Sequence, residues 1–448
     1  MREGGLPRSR LSEDESGFTV IEFVVAISLL LVSLLAASQM LTSGMQVSGD
    51  TRSRVVAANL ATQSLEAIRA TATDPSQFST LTPGRTVTTQ TVGATTYTIT
   101  KDVQWVGQRA TASNCDAGGG GTQILRATAV ITWPRMHNTA PVQSATTFSP
   151  PVGAFSSNAG SVAAKVINAA AAPVSFVTVT ATGATTQSIV TASDGCAFFA
   201  NLTPGTYTVT VAAAGYVGDQ EISSPSQSAS VSSGQTAALT FNYDQAATVT
   251  VTGFTGATPA ATNIKISVAN TSLQPYGLYT FGLGTTTLAP LYPFPTGYTL
   301  FAGSCTDANP LGLNNSRNAF YPSANTTPVA VTPAGSSTGT VPLYPLAVSV
   351  VNTSNVAVGN ATVSVLATAT NGTCPGGSPT YGLPNTTTAA PIGQTTAGVP
   401  LGHYTITATS GTKTGSVKVW VQPGGTYAVD ASGNATTLFT APVKITVA

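Results

Sequence analysis

Charge is what this chain of 448 residues has least of. It holds 17 Lys and Arg and 16 Asp and Glu, 7% of the sequence, where about 25% is usual for a soluble domain. A formal net charge of +1 excludes a nucleic-acid binder that works by neutralising phosphates. Histidine occurs only at His137 and His403, so most acid–base catalysis and most zinc chemistry start without a candidate. Asp194 and Asp307 stand alone in the sequence, where a calcium loop needs clustered carboxylates. There is no G-x-S-x-G elbow. The glycine run NCDAGGGG at 114–121 lacks the Gly-Lys-Ser/Thr of a phosphate loop. No catalytic residue, cofactor or metal is therefore expected, and the chain reads as a non-enzyme. Disorder is not implied either, because Val, Thr and Tyr build sheets.

The charges present are unevenly placed. Residues 1–70 hold 13 of them, and the remaining 378 residues hold 20. This divides the chain into a helical head and a nearly neutral, β-rich body. From Phe18 to Leu41 the sequence FTVIEFVVAISLLLVSLLAASQML carries one charge, Glu22. As a helix it would be about 36 Å long, enough to cross a hydrocarbon core of about 30 Å. Arg2, Arg8 and Arg10 precede it and place the leader on the cytoplasmic side by the positive-inside rule. A secretory signal is the plain alternative, but the run exceeds the 7–15 residues of a signal core and lacks a conspicuous small-x-small cleavage site. A carboxylate at membrane depth costs about 2.5–3.5 kcal/mol, so Glu22 calls for a partner.

Gly17-Phe18-Thr19-Val20-Ile21-Glu22, set between a polar leader and an apolar helix, resembles the processing site of type IV pilins and type II secretion pseudopilins. The resemblance implies that a prepilin peptidase cuts after Gly17 and methylates the new N-terminus at Phe18. It also implies that Glu22 pairs with the N-terminal amine of a neighbouring pilin. Further on, Val56, Leu60, Ala61, Ser64, Leu65 and Ile68 recur at helical spacing, as in the second half of a pilin helix. Gly44 and Gly49 are expected to bend or melt the helix between the two halves, and Asp74-Pro75 to end it.

Three candidate strands follow, at 85–92, 95–106 and 123–133, which form a small antiparallel sheet. After Pro150-Pro151 short Val/Thr strands alternate with Gly, Pro and Asn turns. A weak repeat recurs in Leu202-Thr203-Pro204-Gly205-Thr206-Tyr207, Phe294-Pro295-Thr296-Gly297-Tyr298 and Val399-Pro400-Leu401-Gly402-His403-Tyr404. The tyrosines lie 91 and 106 residues apart, about one β-sandwich each. Each is expected to bury its ring while its hydroxyl stays wet or bonds to backbone. His403, inside the third copy, is expected on the surface of the turn, and His137 in a loop. Asn-x-Ser/Thr triplets at Asn201, Asn325 and Asn371 are expected by chance in so Thr-rich a chain.

Residues 160–245, with Ser193-Asp194-Gly195-Cys196-Ala197-Phe198-Phe199 and Ala214-Gly215-Tyr216 around the repeat, resemble the carboxypeptidase-regulatory-like and Cna-B-like sandwiches of bacterial surface proteins. Those modules space and display, without peptidase chemistry. Cna-B-like modules join a Lys and an Asn through a buried acid; here the counterparts are Lys165 and Asn242, with Glu221 poorly placed as the acid. The four cysteines, Cys115, Cys196, Cys305 and Cys374, allow three pairings. Cys115–Cys196 with Cys305–Cys374 is favoured because each would bridge neighbouring modules.

The expected fold is mostly β with one long N-terminal α-helix: a pilin-like helix plus antiparallel sheet, then three Ig-like β-sandwich modules. The expected segments are 1–17 (leader), 18–72 (helix), 73–150 (β head), and sandwiches at 151–245, 246–345 and 346–448. Function is read as a minor pilin or pseudopilin-like subunit. Its partners would be the prepilin peptidase, other pilins, the membrane before assembly and a surface ligand, without nucleic acid. The bacterial cytoplasmic membrane and then a surface filament would be its location. A membrane-anchored adhesin that never polymerises is the alternative.

Overall fold

The computed structural model describes residues 19–74, 77–78, 81, 84–107, 115, 123–134, 136, 140–149, 158–311, 327–368 and 373–448. The chain is mostly β with one long helix, and it divides into two units. One comprises residues 1–103 and 126–151, and the other residues 104–125 and 152–448.

In the first unit α1 (Val20–Thr73) is a single helix of 54 residues. Thr19 caps it, and Asp74 leaves it in an extended conformation that the following proline favours. The expected break at Gly44 and Gly49 does not occur: α1 runs through both. Two glycines cost about 1 kcal/mol each relative to Ala, too little to interrupt a helix with many cooperative turns on either side. From Val20 to Leu41 none of α1 is buried, and this is the described segment long and apolar enough to cross a membrane. Beyond it, Ala57, Leu60, Ala61, Ser64, Leu65, Ile68 and Ala72 form a buried face, while Glu66 and Arg69 pair at 2.9 Å on the exposed side. The sheet runs β1 (Gly84–Val92), β2 (Thr95–Gly107), β3 (Gln123–Thr132), β4 (Val142–Phe148), and α1 packs along β4. β4 is absent from the expected strands because VQSATTF has only one large apolar residue at each end.

The described residues of the second unit hold three sandwiches that share a core strand arrangement and differ in their added strands. The first sandwich contains β5 (Gly160–Ile167), β6 (Thr178–Thr182), β7 (Thr186–Val190), β8 (Cys196–Leu202), β9 (Gly205–Ala212), β10 (Tyr216–Gly218), β11 (Ser226–Val231) and β12 (Thr236–Gln245). Its sheets are ordered β10-β12-β5-β8 and β11-β9-β6-β7. The second contains β13 (Ala247–Gly256), β14 (Ile266–Ala269), β15 (Leu278–Thr280), β16 (Thr287–Leu291) and β17 (Thr299–Ala302). It is closed by the first half of β18 (Ser336–Asn352), which lies parallel to β13. The second half of β18 opens the third sandwich, which continues through β19 (Thr362–Ala367), β20 (Thr380–Gly382), β21 (Gln394–Val399), β22 (Gly402–Ser410), β23 (Lys413–Gln422), β24 (Gly425–Val429), β25 (Ala435–Leu438) and β26 (Val443–Val447).

In each sandwich the closing strand runs parallel to the opening one: β12 to β5, β18 to β13, β26 to β18. One residue, Ala246, separates β12 from β13. Residue 346 lies inside β18, which passes from one sandwich to the next without a turn. The first sandwich has its own core, including Val162, Val179, Phe199 and Phe241. The second and third share one, in which Val249, Leu288, Val341, Leu346, Val363 and Val399 are buried together.

All three copies of the Pro-Gly-Tyr repeat stand where the chain crosses between facing sheets: β8 to β9, β16 to β17, β21 to β22. Gly297 has φ +69° and Gly402 φ +144°, backbone that side chains with a Cβ adopt at a cost. The three tyrosine rings are buried. Tyr404 Oη lies within hydrogen-bond distance of two backbone carbonyls, 2.8 Å from Pro400 and 3.1 Å from Leu401, and its one proton serves them. Tyr207 Oη is buried without a hydrogen-bond partner among the described residues. This differs from the expectation of a wet or backbone-bonded hydroxyl and gives a contrast to measure. Tyr404→Phe should lower stability by about 1 kcal/mol. Tyr207→Phe should leave it unchanged or raise it, because it removes a desolvated hydroxyl and no bond. Denaturant unfolding of the two variants checks this, and equal losses would contradict the assignment.

Candidate functional site

Glu22 sits in the first turn of α1, where its carboxylate closes a capping box. Oε2 accepts from the Thr19 N–H and from Thr19 Oγ1, each at 3.0 Å, and Thr19 Oγ1 accepts from the Glu22 N–H at 3.4 Å. The box satisfies backbone donors that a helix start leaves open, and a carboxylate at that end is favoured by the helix dipole. Glu22 thus has a local partner within its own chain, and it is the one charge on an exposed, mostly apolar span. Gly17 and Phe18 lie outside the described residues.

Cys115 bonds Cys196, and Cys305 bonds Cys374, the pairing favoured from the sequence. Both bonds lie within the second unit. The Cys305–Cys374 bridge joins the loop after β17 to the loop between β19 and β20. Two hydrogen bonds accompany it, Thr306 N–H to the Thr373 carbonyl at 2.8 Å and Thr373 N–H to Thr306 Oγ1 at 2.9 Å.

The structure corrects the reading of His403 as a surface turn residue. His403 is buried, as is Asp307, which does not stand alone. The imidazole stacks on Trp420 with ring centroids 4.3 Å apart. Its Nε2 lies 3.0 Å from the Gly433 carbonyl, which only accepts, so Nε2 carries a proton. Its Nδ1 meets Asp307 Oδ2 at 2.8 Å. His403 belongs to the third sandwich and Asp307 to the short helix Thr306–Ala308 after β17, so the pair ties two modules together. The turn repeat concealed it: the equivalent Thr206 in the first corner is exposed, and Asp307 is 96 residues away in sequence. His137 lies outside the described residues.

The Lys–Asn–acid set does not assemble. Lys165 faces Thr240 across the β5–β12 pair, and the Asn242 amide donates to Asp219 Oδ2 at 2.6 Å. Glu221 turns away to the second sandwich, where Oε1 meets Tyr298 Oη and Oε2 accepts the Tyr292 N–H at 2.8 Å. Burial pushes the Glu221 carboxyl up to about 7, although the bonds from Tyr298 and Tyr292 oppose the rise. Asp194 instead accepts the Cys196 N–H at 3.0 Å within its turn. Asn201 occupies a left-handed conformation, which Asn tolerates; Asn325 and Asn371 lie outside the described residues. Among the described residues no three His, Cys, Asp or Glu side chains converge as a metal site would require.

Residues 161–244 match the carboxypeptidase regulatory-like domain, a stretch that begins in β5 and ends in β12 and so spans the first sandwich. Among curated proteins nothing matches. Among solved structures, the Bacillus anthracis TIE protein aligns at 14% identity over 82% of this chain and 73% of its own, with a TM-score of 0.20. A streptococcal ancillary pilin aligns at 8% identity over 72% of this chain and 77% of its own, TM-score 0.18. BcpA, the major pilin subunit of Bacillus cereus, aligns at 11% identity over 64% and 98%, TM-score 0.19. Superpositions this loose carry no argument.

Replacing His403 by Phe keeps a ring against Trp420 but removes both hydrogen bonds that the buried imidazole makes, to Asp307 and to the Gly433 carbonyl. The loss should be about 2–4 kcal/mol, read as an earlier denaturant midpoint for the joined second and third sandwiches. An unchanged midpoint would show that the ring acts by packing alone.

Proposed function

We propose that this protein is a minor pilin or pseudopilin-like subunit whose apolar helix polymerises and whose sandwiches are displayed at the cell surface. The observation that carries the proposal is the division of α1. Its first 22 residues bury nothing within the chain and hold a single charge near their start, whereas its last five turns pack against a sheet of the same unit. A surface of that length and composition needs either lipid or other apolar helices around it.

In the precursor, lipid covers the span, and the capping box lowers the cost of Glu22 by giving its carboxylate two donors. Cleavage after Gly17 frees the amine of Phe18. A neighbouring subunit's ammonium then supplies the opposite charge that makes a carboxylate tolerable in an apolar helix bundle. The same apolar face suits both environments, so the helix moves from bilayer to filament without refolding. The carboxypeptidase regulatory-like sandwich and the two that come after it follow the helix and the small sheet in the sequence. Their role is to space and present a binding surface. No step of this account requires catalysis by this chain itself.

Replacing Glu22 by Ala should leave cleavage and membrane insertion intact and reduce incorporation into filaments at least tenfold. The expected deficit corresponds to about 1.4 kcal/mol or more of lost pairing. Shearing and fractionation of surface filaments, followed by immunoblotting, measures it. Normal incorporation of the variant would show that the charge is incidental to assembly, and absence of the wild type from the filament fraction would favour the anchored adhesin that never polymerises.

A further inference from the structure

We infer that Glu221 is a proton-operated latch between the first and second sandwiches, closed as the neutral acid and released as the carboxylate. This inference stands on the geometry of the junction and is independent of filament assembly.

The loop after β10 leaves the first sandwich and reaches the second at two adjacent residues. Gln220 donates from Nε2 to the Ser272 carbonyl at 3.2 Å and accepts the Gln274 N–H at 2.7 Å. Glu221, only 5% exposed, goes deeper, to Tyr292 and Tyr298. Its backbone has φ +60°, a left-handed conformation that a residue with a Cβ keeps only when its surroundings hold it. Its own turn holds the backbone, with the Glu221 N–H donating to the Gly218 carbonyl at 3.0 Å, and the second sandwich holds the side chain.

Counting protons assigns the state. Tyr298 Oη lies within hydrogen-bond distance of two acceptors, Glu221 Oε1 and the Tyr292 carbonyl, the latter at 2.7 Å. A phenol has one proton to give. Both bonds form only if Glu221 supplies the second. In the neutral form the Glu221 O–H donates to Tyr298 Oη, Tyr298 O–H donates to the Tyr292 carbonyl, and the Tyr292 N–H donates to Glu221 Oε2. The ring of bonds closes with every group satisfied. In the ionised form the phenol must choose, one buried acceptor loses its donor, and a charge is left in an apolar corner. The titratable groups around it are Asp219 on its own loop and Tyr298 and Tyr292 on the second sandwich, with Asp244 beyond Tyr292. None of them is cationic, and no described Lys, Arg or His pairs with Glu221.

The sign of the pH dependence follows. A carboxyl that holds its proton more tightly when the latch is closed releases it on opening, so opening is favoured as pH rises. The change is confined between the carboxyl's ordinary value, 4.5, and the raised value near 7. Below that window both states are protonated, and above it both are ionised. The two sandwiches are therefore held most tightly in acid.

Amide exchange by mass spectrometry on the full-length protein in detergent micelles, from about pH 4.5 to 9 with intrinsic rates corrected, tests the latch. Protection in peptides spanning 214–224 and 290–299 should fall on the order of a hundredfold up to about pH 7 and then level. A peptide from β22 should stay flat. Glu221→Gln, whose carboxamide donates and accepts as the neutral acid does, should keep the acid-form protection at every pH. Infrared spectra of the wild type should show a carboxylic-acid carbonyl band persisting near pH 6, where ordinary carboxylates are ionised, and absent from the variant. Junction protection that is flat with pH in the wild type, or that falls equally in Glu221→Gln, would overturn the inference. So would the absence of the persistent acid band.

Discussion

The second unit depends on a single constraint: each sandwich closes with a strand laid parallel to the one that opened it. A strand that returns parallel to the first leaves the sandwich at the end opposite to its entry. The chain then needs no linker. It continues directly into the next module, after Ala246 in one case and within β18 in the other. Hydrogen bonding through β18 is uninterrupted across the second junction, because Leu343 pairs with Gly256 and the next residue, Tyr344, with Val399. Bending there would break the ladders that β18 makes with β13 and with β21 in one sheet. A stiff array follows from strand direction, without any special sequence at the boundary.

The same constraint decides where the scarce polar chemistry goes. Four carboxyl or imidazole side chains are buried among the described residues, Glu221, Asp244, Asp307 and His403, and all four lie at ends of sandwiches. Asp244, in β12, accepts the N–H of Ala169 and that of Gln245 just before the chain leaves the first module. Glu221 crosses to the second module, and Asp307 meets His403 of the third. Apolar cores tolerate many packings, whereas a buried polar group demands one partner in one position. Placing these groups at junctions fixes how successive modules meet, while Val and Thr ladders supply most of the stability inside each.

Much of this architecture was legible in the sequence. Pattern and punctuation exposed the helix, its end at Asp74, three of the four strands of the small sheet and the three corner tyrosines. Even cysteine number and modular spacing favoured the observed bonds. What stayed hidden has a common cause. Gly44 and Gly49 look like a break because propensity is local, while the helix is cooperative over 54 residues. β4 lacks alternation strong enough to register. His403 and Asp307 are 96 residues apart, and Glu221 and Tyr298 are 77 apart. Neither pair has a spacing that any motif encodes, because each joins segments of two different sandwiches.

The central claim is that the exposed first half of α1 is released as a polymerising helix and is not a permanent anchor or a removed signal. The mature N-terminus of the protein isolated from its native cell surface tests this most directly, by intact mass and sequencing of the terminal peptide. The account predicts a chain beginning at Phe18 and bearing one N-terminal methyl group. A chain beginning after Ala36 or Ala37, or one retaining the residues before Phe18, would contradict it.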